Sequence, residues 1–184
     1  MMDRTAALEI VRKYSDKEIT FRHLVATEGV MRALGRHFGE DPHRWGLAGL
    51  WHDLDYDRTE GAPGEHAYKA VEWLRAEGFQ DDQVLNAILA HLDPELRTDA
   101  MSRAIPHADG VSGLLVACAL VRPEKATGMK VSSVKKKLKE KSFAPGVERD
   151  KVTNVEEKLD LPLDEFLKVT IEGLQEVAPE IGLA

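Results

Sequence analysis

Cysteine is almost missing from this 184-residue chain: Cys118, in the apolar run Leu114–Val121, is the single one. One thiol forms no internal disulfide, so a crosslinked secreted scaffold is excluded and a reducing, cytoplasmic compartment is expected, with Cys118 buried as a core residue. Long apolar runs are missing as well. The longest is too short and too interrupted to span a bilayer. Met1-Met2-Asp3-Arg4 leads into an amphipathic segment rather than a signal-peptide block, so a soluble protein without membrane association is expected. Positive charge is in deficit, with a net charge of −7, which argues against a protein dedicated to coating nucleic acid. No long alternation of apolar and polar residues marks a strand, and there is no repeat, low-complexity tract or Gly/Ser linker. The 43% of hydrophobic residues is enough for one domain with a sizeable core.

What is present reads as helix nearly throughout, so the fold class expected is all-α. Thr5 can cap a first helix running to Lys13. Glu18 to Phe38 carries Phe21, Leu24, Val25, Val30, Met31, Leu34 and Phe38 at helical spacing, with Gly39 as a stop. Asp41-Pro42 is a start signal, an N-cap followed by proline at the first helical position. The helix it opens carries Trp45, Leu47, Leu50 and Trp51, and delivers His52-Asp53 on its last turns. Asp57 to Glu65, with Gly61-Ala62-Pro63-Gly64, reads as a loop. His66 to Glu77 reads as helix, stopping at Gly78. Asp81 or Asp82 caps the next, which leads to His91 and breaks at Asp93-Pro94. A short helix to Ile105 is expected to end at Pro106. A further helix carries Asp109 and Leu114-Leu115-Val116-Ala117 and ends at Pro123. The last helix spans Pro162 to Val177.

The chemistry concentrates at Trp51-His52-Asp53-Leu54-Asp55. A histidine followed by an aspartate offers a nitrogen ligand beside a carboxylate whose two oxygens can reach two metals, and the dipeptide sits in an apolar segment where unpaired polar groups are costly. His23, His52, Asp53, His66, His91 and Asp109 are expected to converge on one or two divalent ions. Nitrogen and oxygen donors without thiolate suit iron or manganese best, with zinc, magnesium or nickel as alternatives. Two such ions can clamp a phosphoryl group and generate hydroxide at neutral pH, so the expected chemistry is hydrolysis of a phosphate ester. His37 and His43 are expected on exposed turns, and His107 in a loop near the site rather than as a ligand. Lys69, three residues after His66, would share its helix face and bind phosphate, or stand as a solvated surface lysine. Asp55 would orient the water or protonate the leaving oxygen, or serve as a cap.

The ordered set His23, His52-Asp53 and Asp109 in Ala-Asp-Gly-Val-Ser-Gly resembles the HD superfamily of metal-dependent phosphohydrolases, and most closely its HDIG-type predicted hydrolases. The chain further resembles a small-protein subgroup of these in Trp45-Gly46-Leu47-Ala48-Gly49-Leu50, His52-Asp53-Leu54-Asp55-Tyr56, Ala119-Leu120-Val121-Arg122-Pro123 and the lysine-rich Val131–Lys139. The resemblance implies an HD/phosphodiesterase-like helical bundle, a single domain over residues 1–184 with its core at about 16–122 and a C-terminal helical extension. It implies His23, His52, Asp53 and Asp109 as ligands of one metal, and His66 and His91 as the extra histidines that hold a second, bridged by Asp53. HD nucleotidases often carry an acidic residue three positions after the HD aspartate. Tyr56 stands there, flanked by Asp55 and Asp57. The substrate implied is a small phosphorylated molecule, a nucleotide among the candidates. Two other functions fit the same residues: a di-iron oxygenase, and a nucleotide or polyanion sensor without catalysis. Lys130, Lys135, Lys136, Lys137, Lys139 and Lys141 concentrate positive charge, which reads as a solvated helix face or as a polyanion contact.

Overall fold

A computed structural model describes residues 2–62 and 64–184. Met1, and Pro63 in the expected loop, lie outside the described residues. Among them there is no strand. The helices are α1 (Arg4–Tyr14), α2 (Glu18–His37), α3 (Pro42–Trp51), α4 (Tyr56–Thr59), α5 (Tyr68–Ala76), α6 (Asp82–Ala90), α7 (Ala100–Leu120), α8 (Val131–Lys139), α9 (Arg149–Thr153), α10 (Val155–Leu159) and α11 (Leu163–Val177). The all-α expectation is met.

α2 is the axis of the bundle. Its 20 residues bury Phe21, Leu24, Val25, Val30, Met31 and Leu34, and α3, α7 and α11 pack around it. Two of these contacts are backbone-close. A Cβ at Gly49 of α3 would lie 2.5 Å from the Thr27 carbonyl oxygen, and one at Gly173 of α11 would lie 2.5 Å from that of Gly29. Only glycine allows helices to cross at that separation. The C-terminal stretch therefore belongs to the same core: Phe166, Leu167 and Leu174 of α11 are buried with Leu24 and Leu34.

Helix starts follow their caps. Asp41 accepts from His43 and Arg44 N–H with Pro42 at the first position, and Asp81 accepts from Gln83 and Val84. α1 is capped by Asp3, which accepts from Ala6 N–H, not by Thr5. Within the expected 57–65 loop, Tyr56–Thr59 forms one helical turn.

Two expectations are corrected. His66 precedes its helix rather than opening it. Ala67 adopts φ 67°, outside the right-handed region, and α5 begins at Tyr68. Pro106 does not end a helix: α7 runs through it from Asp99, whose capping box with Ser102 fixes the start. Proline inside a helix costs about 3 kcal/mol through its lost donor and ring clash. Burial of Met101, Ile105, Pro106, Ala108, Val111 and Leu115 along the same helix outweighs that.

Cys118 is buried at 3% exposure, and burial pushes its thiol up to about 11, so it stays protonated and inert.

Candidate metal centre

Five helices or their ends carry the six side chains. His23 stands on α2, His52 and Asp53 follow the last turn of α3, His91 caps the end of α6, His66 stands in the turn before α5, and Asp109 faces inward from mid-α7. They meet around the Asp53 carboxylate. Oδ2 of Asp53 lies 3.9 Å from His23 Nε2 and 3.6 Å from His52 Nε2. Oδ1 lies 3.2 Å from His66 Nε2 and 3.3 Å from His91 Nε2. Asp109 joins the first group, with Oδ1 3.2 Å from His23 Nε2 and 3.7 Å from His52 Nε2. The donors thus fall into two groups, His23–His52–Asp53 and Asp53–His66–His91, each compact enough to hold one ion.

The orientation of the rings is fixed from behind. His52 Nδ1 donates to the Gly49 carbonyl at 2.8 Å, His66 Nδ1 donates to Asp55 Oδ1 at 2.8 Å, and His91 Nδ1 donates to the Ile88 carbonyl. Each ring spends its Nδ1 proton on the scaffold and aims the Nε2 lone pair at the centre, the usual support of metal-binding histidine. Two observations fit a divalent ion. His91 Nε2 is buried and, although 3.3 Å from Asp53 Oδ1, makes no hydrogen bond among the described residues, a costly arrangement for a polar atom unless a cation takes it. His23 Nε2 and His52 Nε2 face each other at 3.2 Å, which two lone pairs do not tolerate without a cation or a proton between them.

Charge confirms how tightly the cluster is coupled. Burial alone would lift the Asp53 and Asp109 carboxyls; the facing histidines outweigh it and hold both well below the usual carboxylate range. Burial alone would lower His52 and His66. Asp53 and Asp109 outweigh it for His52, Asp53 and Asp55 for His66, and both rise to about 9. Without metal the site holds protons on the same nitrogens that would bind the ion.

Two expectations about neighbouring residues are revised, and of the alternatives for Asp55 the cap holds. Asp55 is fully buried; its Oδ1 accepts from His66 Nδ1–H and its Oδ2 from Ala70 N–H at 3.0 Å. It orients His66 and caps the start of α5 from outside the helix, and it has no free oxygen to act on a water or a leaving group. Lys69 does not share a face with His66, because His66 lies outside α5. Its Nζ pairs with Glu72 at 3.0 Å, and Lys69 does not line the cleft beside the cluster. His107 is not in a loop but on α7, buried at 6%, with Nδ1 donating to the Lys151 carbonyl. Burial holds its pKa below the ordinary histidine value, so it stays neutral. His37 is exposed as expected, while His43 is half-buried and bonds the Met2 carbonyl at 2.8 Å.

Asp57, the other acid beside Tyr56, is equally committed. It accepts from Asp16 N–H and Lys17 N–H, both at 2.9 Å, from Ser15 Oγ at 3.1 Å and from Thr20 Oγ1 at 2.6 Å. It caps α2 where Lys17 supplies no side-chain cap.

The cation that does reach the centre is Lys151 of α9. Its Nζ lies 3.3 Å from Asp109 Oδ2 and 2.9 Å from Glu148. Burial lowers its pKa, but Asp109 and Glu148 outweigh that and keep it charged. It is 42 residues from Asp109, and nothing in the local sequence links them. The anchoring of α9 to His107, and Gly110, where a Cβ would meet Lys151 Cβ at 2.9 Å, bring them together.

The centre opens on a cleft of about 840 Å³ whose walls include His23, Asp53, Tyr56, Asp109 and Lys151. None of the lysines from Lys130 to Lys141 lines it. Lys135 pairs with Asp164 and Lys137 with Glu140, while Lys130, Lys136, Lys139 and Lys141 are exposed. Among the described residues no helix is long and apolar enough to cross a membrane. A family model described as HD domain matches residues 20–139. No solved structure matches the chain.

Proposed function

The chain belongs to the HD domain family, and from that premise we propose that it is a metal-dependent hydrolase of a small phosphate ester. One observation carries the reading: the two oxygens of Asp53 face separate pairs of histidines, at the inner end of a cleft large enough for a small molecule. His23, His52, Asp53 and Asp109 would hold one ion, and Asp53, His66 and His91 the other. Divalent ions bound there lower the pKa of water toward neutrality and offset charge on phosphoryl oxygens.

The chain's own side chains set the rest. The Gly49 carbonyl, Asp55 and the Ile88 carbonyl hold a proton on each Nδ1 and leave Nε2 as the nitrogen that would bind an ion. Lys151 brings a positive charge to the edge of the centre, beside Asp109, where a phosphoryl oxygen would gather charge during attack. Substrate ester and water give an alcohol and inorganic phosphate. The HDIG-type placement, the cytoplasmic location and iron or manganese as the native metal belong to the same proposal and rest on the sequence motifs and donor types.

The test is anaerobic purification with metal analysis, followed by a phosphate-release screen of nucleotides and simpler esters with manganese or iron(II). The reading expects metal in the isolated protein and turnover of at least one ester, with both lost in His52→Ala. Full metal loading with no phosphate release across the panel would overturn it, and oxygen consumption by the iron form would redirect it to dioxygen chemistry.

A further inference from the structure

The cleft carries the metal centre's charge and is apolar along α7. Its floor follows one face of α7, from Asp109 through Gly110, Gly113, Val116 and Ala117 to Leu120, a path of about 16 Å at the helical rise. Gly113 and Ala117 keep that floor low. Ile19, Tyr56 and Leu120 line the cleft while 76%, 44% and 63% exposed. Large apolar side chains left open to water and gathered around one concavity mark a surface that awaits an apolar ligand. The opposite reading, a cleft for a polyphosphate, lacks its cations. Beyond the metal centre the charged side chains lining the cleft are Glu18, Arg22, Glu148 and Lys151. Arg22 already faces Glu18 at 3.3 Å and Lys151 already faces Glu148 at 2.9 Å. A second or third phosphate would meet two carboxylates and no unpaired cation.

We propose that the cleft takes a monoester with a single phosphate on an apolar organic group, the phosphate at the Asp53–Asp109 end and the apolar group lying along α7 toward Leu120. This rests on the hydrolase reading for the phosphate and on the apolar floor for the rest of the molecule, and the two are tested apart.

Binding is read without turnover, by titration calorimetry of the manganese-loaded protein with octylphosphonate, methylphosphonate and adenosine triphosphate. Each methylene buried along α7 is worth about fourfold in affinity, so burying four of them gives octylphosphonate roughly a 250-fold advantage over methylphosphonate. Leu120→Glu, at an exposed position that folding tolerates, and Ala117→Glu, deeper in the floor, should each cut that ratio at least tenfold, with helical circular dichroism retained. Phosphate release from octyl, methyl and nucleoside esters is then measured on the same preparations. Octylphosphonate bound with the expected advantage but no ester cleaved would keep the apolar cleft and sink the hydrolase reading. Esters cleaved with no dependence on chain length, equal affinities for the two phosphonates, or adenosine triphosphate bound more tightly than octylphosphonate would overturn the proposal.

Discussion

Replacing Asp55 by asparagine separates a positioning role from a chemical one. The side chain is fully buried, with one oxygen on His66 Nδ1–H at 2.8 Å and the other on Ala70 N–H at 3.0 Å. Asparagine keeps the shape but turns one acceptor into a donor. If its NH₂ faces Ala70, two donors collide and the start of α5 loses its cap. If it faces His66, the imidazole must accept on Nδ1, and its proton moves to Nε2, the atom aimed at Asp53. The first arrangement loses one buried hydrogen bond, about 1–3 kcal/mol, which for a chain of this length lowers Tm by roughly 3–10 °C, whereas the second keeps both bonds by changing the His66 tautomer. The second arrangement removes a ligand instead. Loss of the group that supports a metal-binding histidine costs about 10–100-fold in metal affinity. The expected result is a folded protein whose manganese stoichiometry, read by mass spectrometry after dialysis against buffered free metal, falls from two to one per chain. The ion held through His23, His52 and Asp109 stays. Unchanged affinity for both ions would refute the reasoning. So would a fully loaded protein that lost only turnover, because that would make Asp55 a participant in the chemistry.

Gly173→Ala should destabilise by about 1–3 kcal/mol or more, because its methyl would meet the Gly29 carbonyl at 2.5 Å where two backbones cross; thermal melts check it, and a neutral effect would show that α2 and α11 can part. Asp57→Ala should cost about 1–3 kcal/mol by uncapping α2. The Asp57 carboxyl, lifted by burial but held below its ordinary 3.8 by Thr20, Lys17, Asp16 and Ser15, contributes stability above that value and loses it as pH falls through the lower folded-state pKa; the variant's acid unfolding should therefore shift less below pH 4 than the parent's. His52 and His66, raised to about 9 in the metal-free protein, add stability that is complete below the ordinary 6.5 and lost as pH rises toward 9. Metal competes for those protons, so calorimetry at pH 7.5 in buffers of different ionisation enthalpy should show proton release on loading, and affinity should climb between pH 6.5 and 9. Chelation should lower Tm, by about 3 kcal/mol worth of linkage when free metal stood at 100 times its Kd.

The helices were legible because their signals are local. Asp41-Pro42 and Asp81 name their own caps, and the apolar spacing of Glu18 to His37 marks α2 directly. His52-Asp53 stood out because polar neighbours in an apolar run need a reason. What the sequence hid depends on contacts between distant segments. Pro106 reads as a break because its local cost is visible and the burial along α7 that offsets it is not. Asp55 and Asp57 look alike as acids beside Tyr56, yet each caps a helix start elsewhere in the chain. Lys151 could not be placed near Asp109 without α9 folding back onto α7. Lys69 shares a face with His66 only on a continuous helix, and the turn at Ala67 removes that geometry.

The central claim is that Asp53 lies between two cation sites. Diffraction from crystals grown with manganese, recorded at its absorption edge, tests it directly. The account predicts two anomalous peaks per chain, one against His23, His52 and Asp109 and one against His66 and His91, with the Asp53 carboxylate touching both. A single peak away from Asp53, or no peak at a manganese concentration that saturates binding in solution, would contradict it.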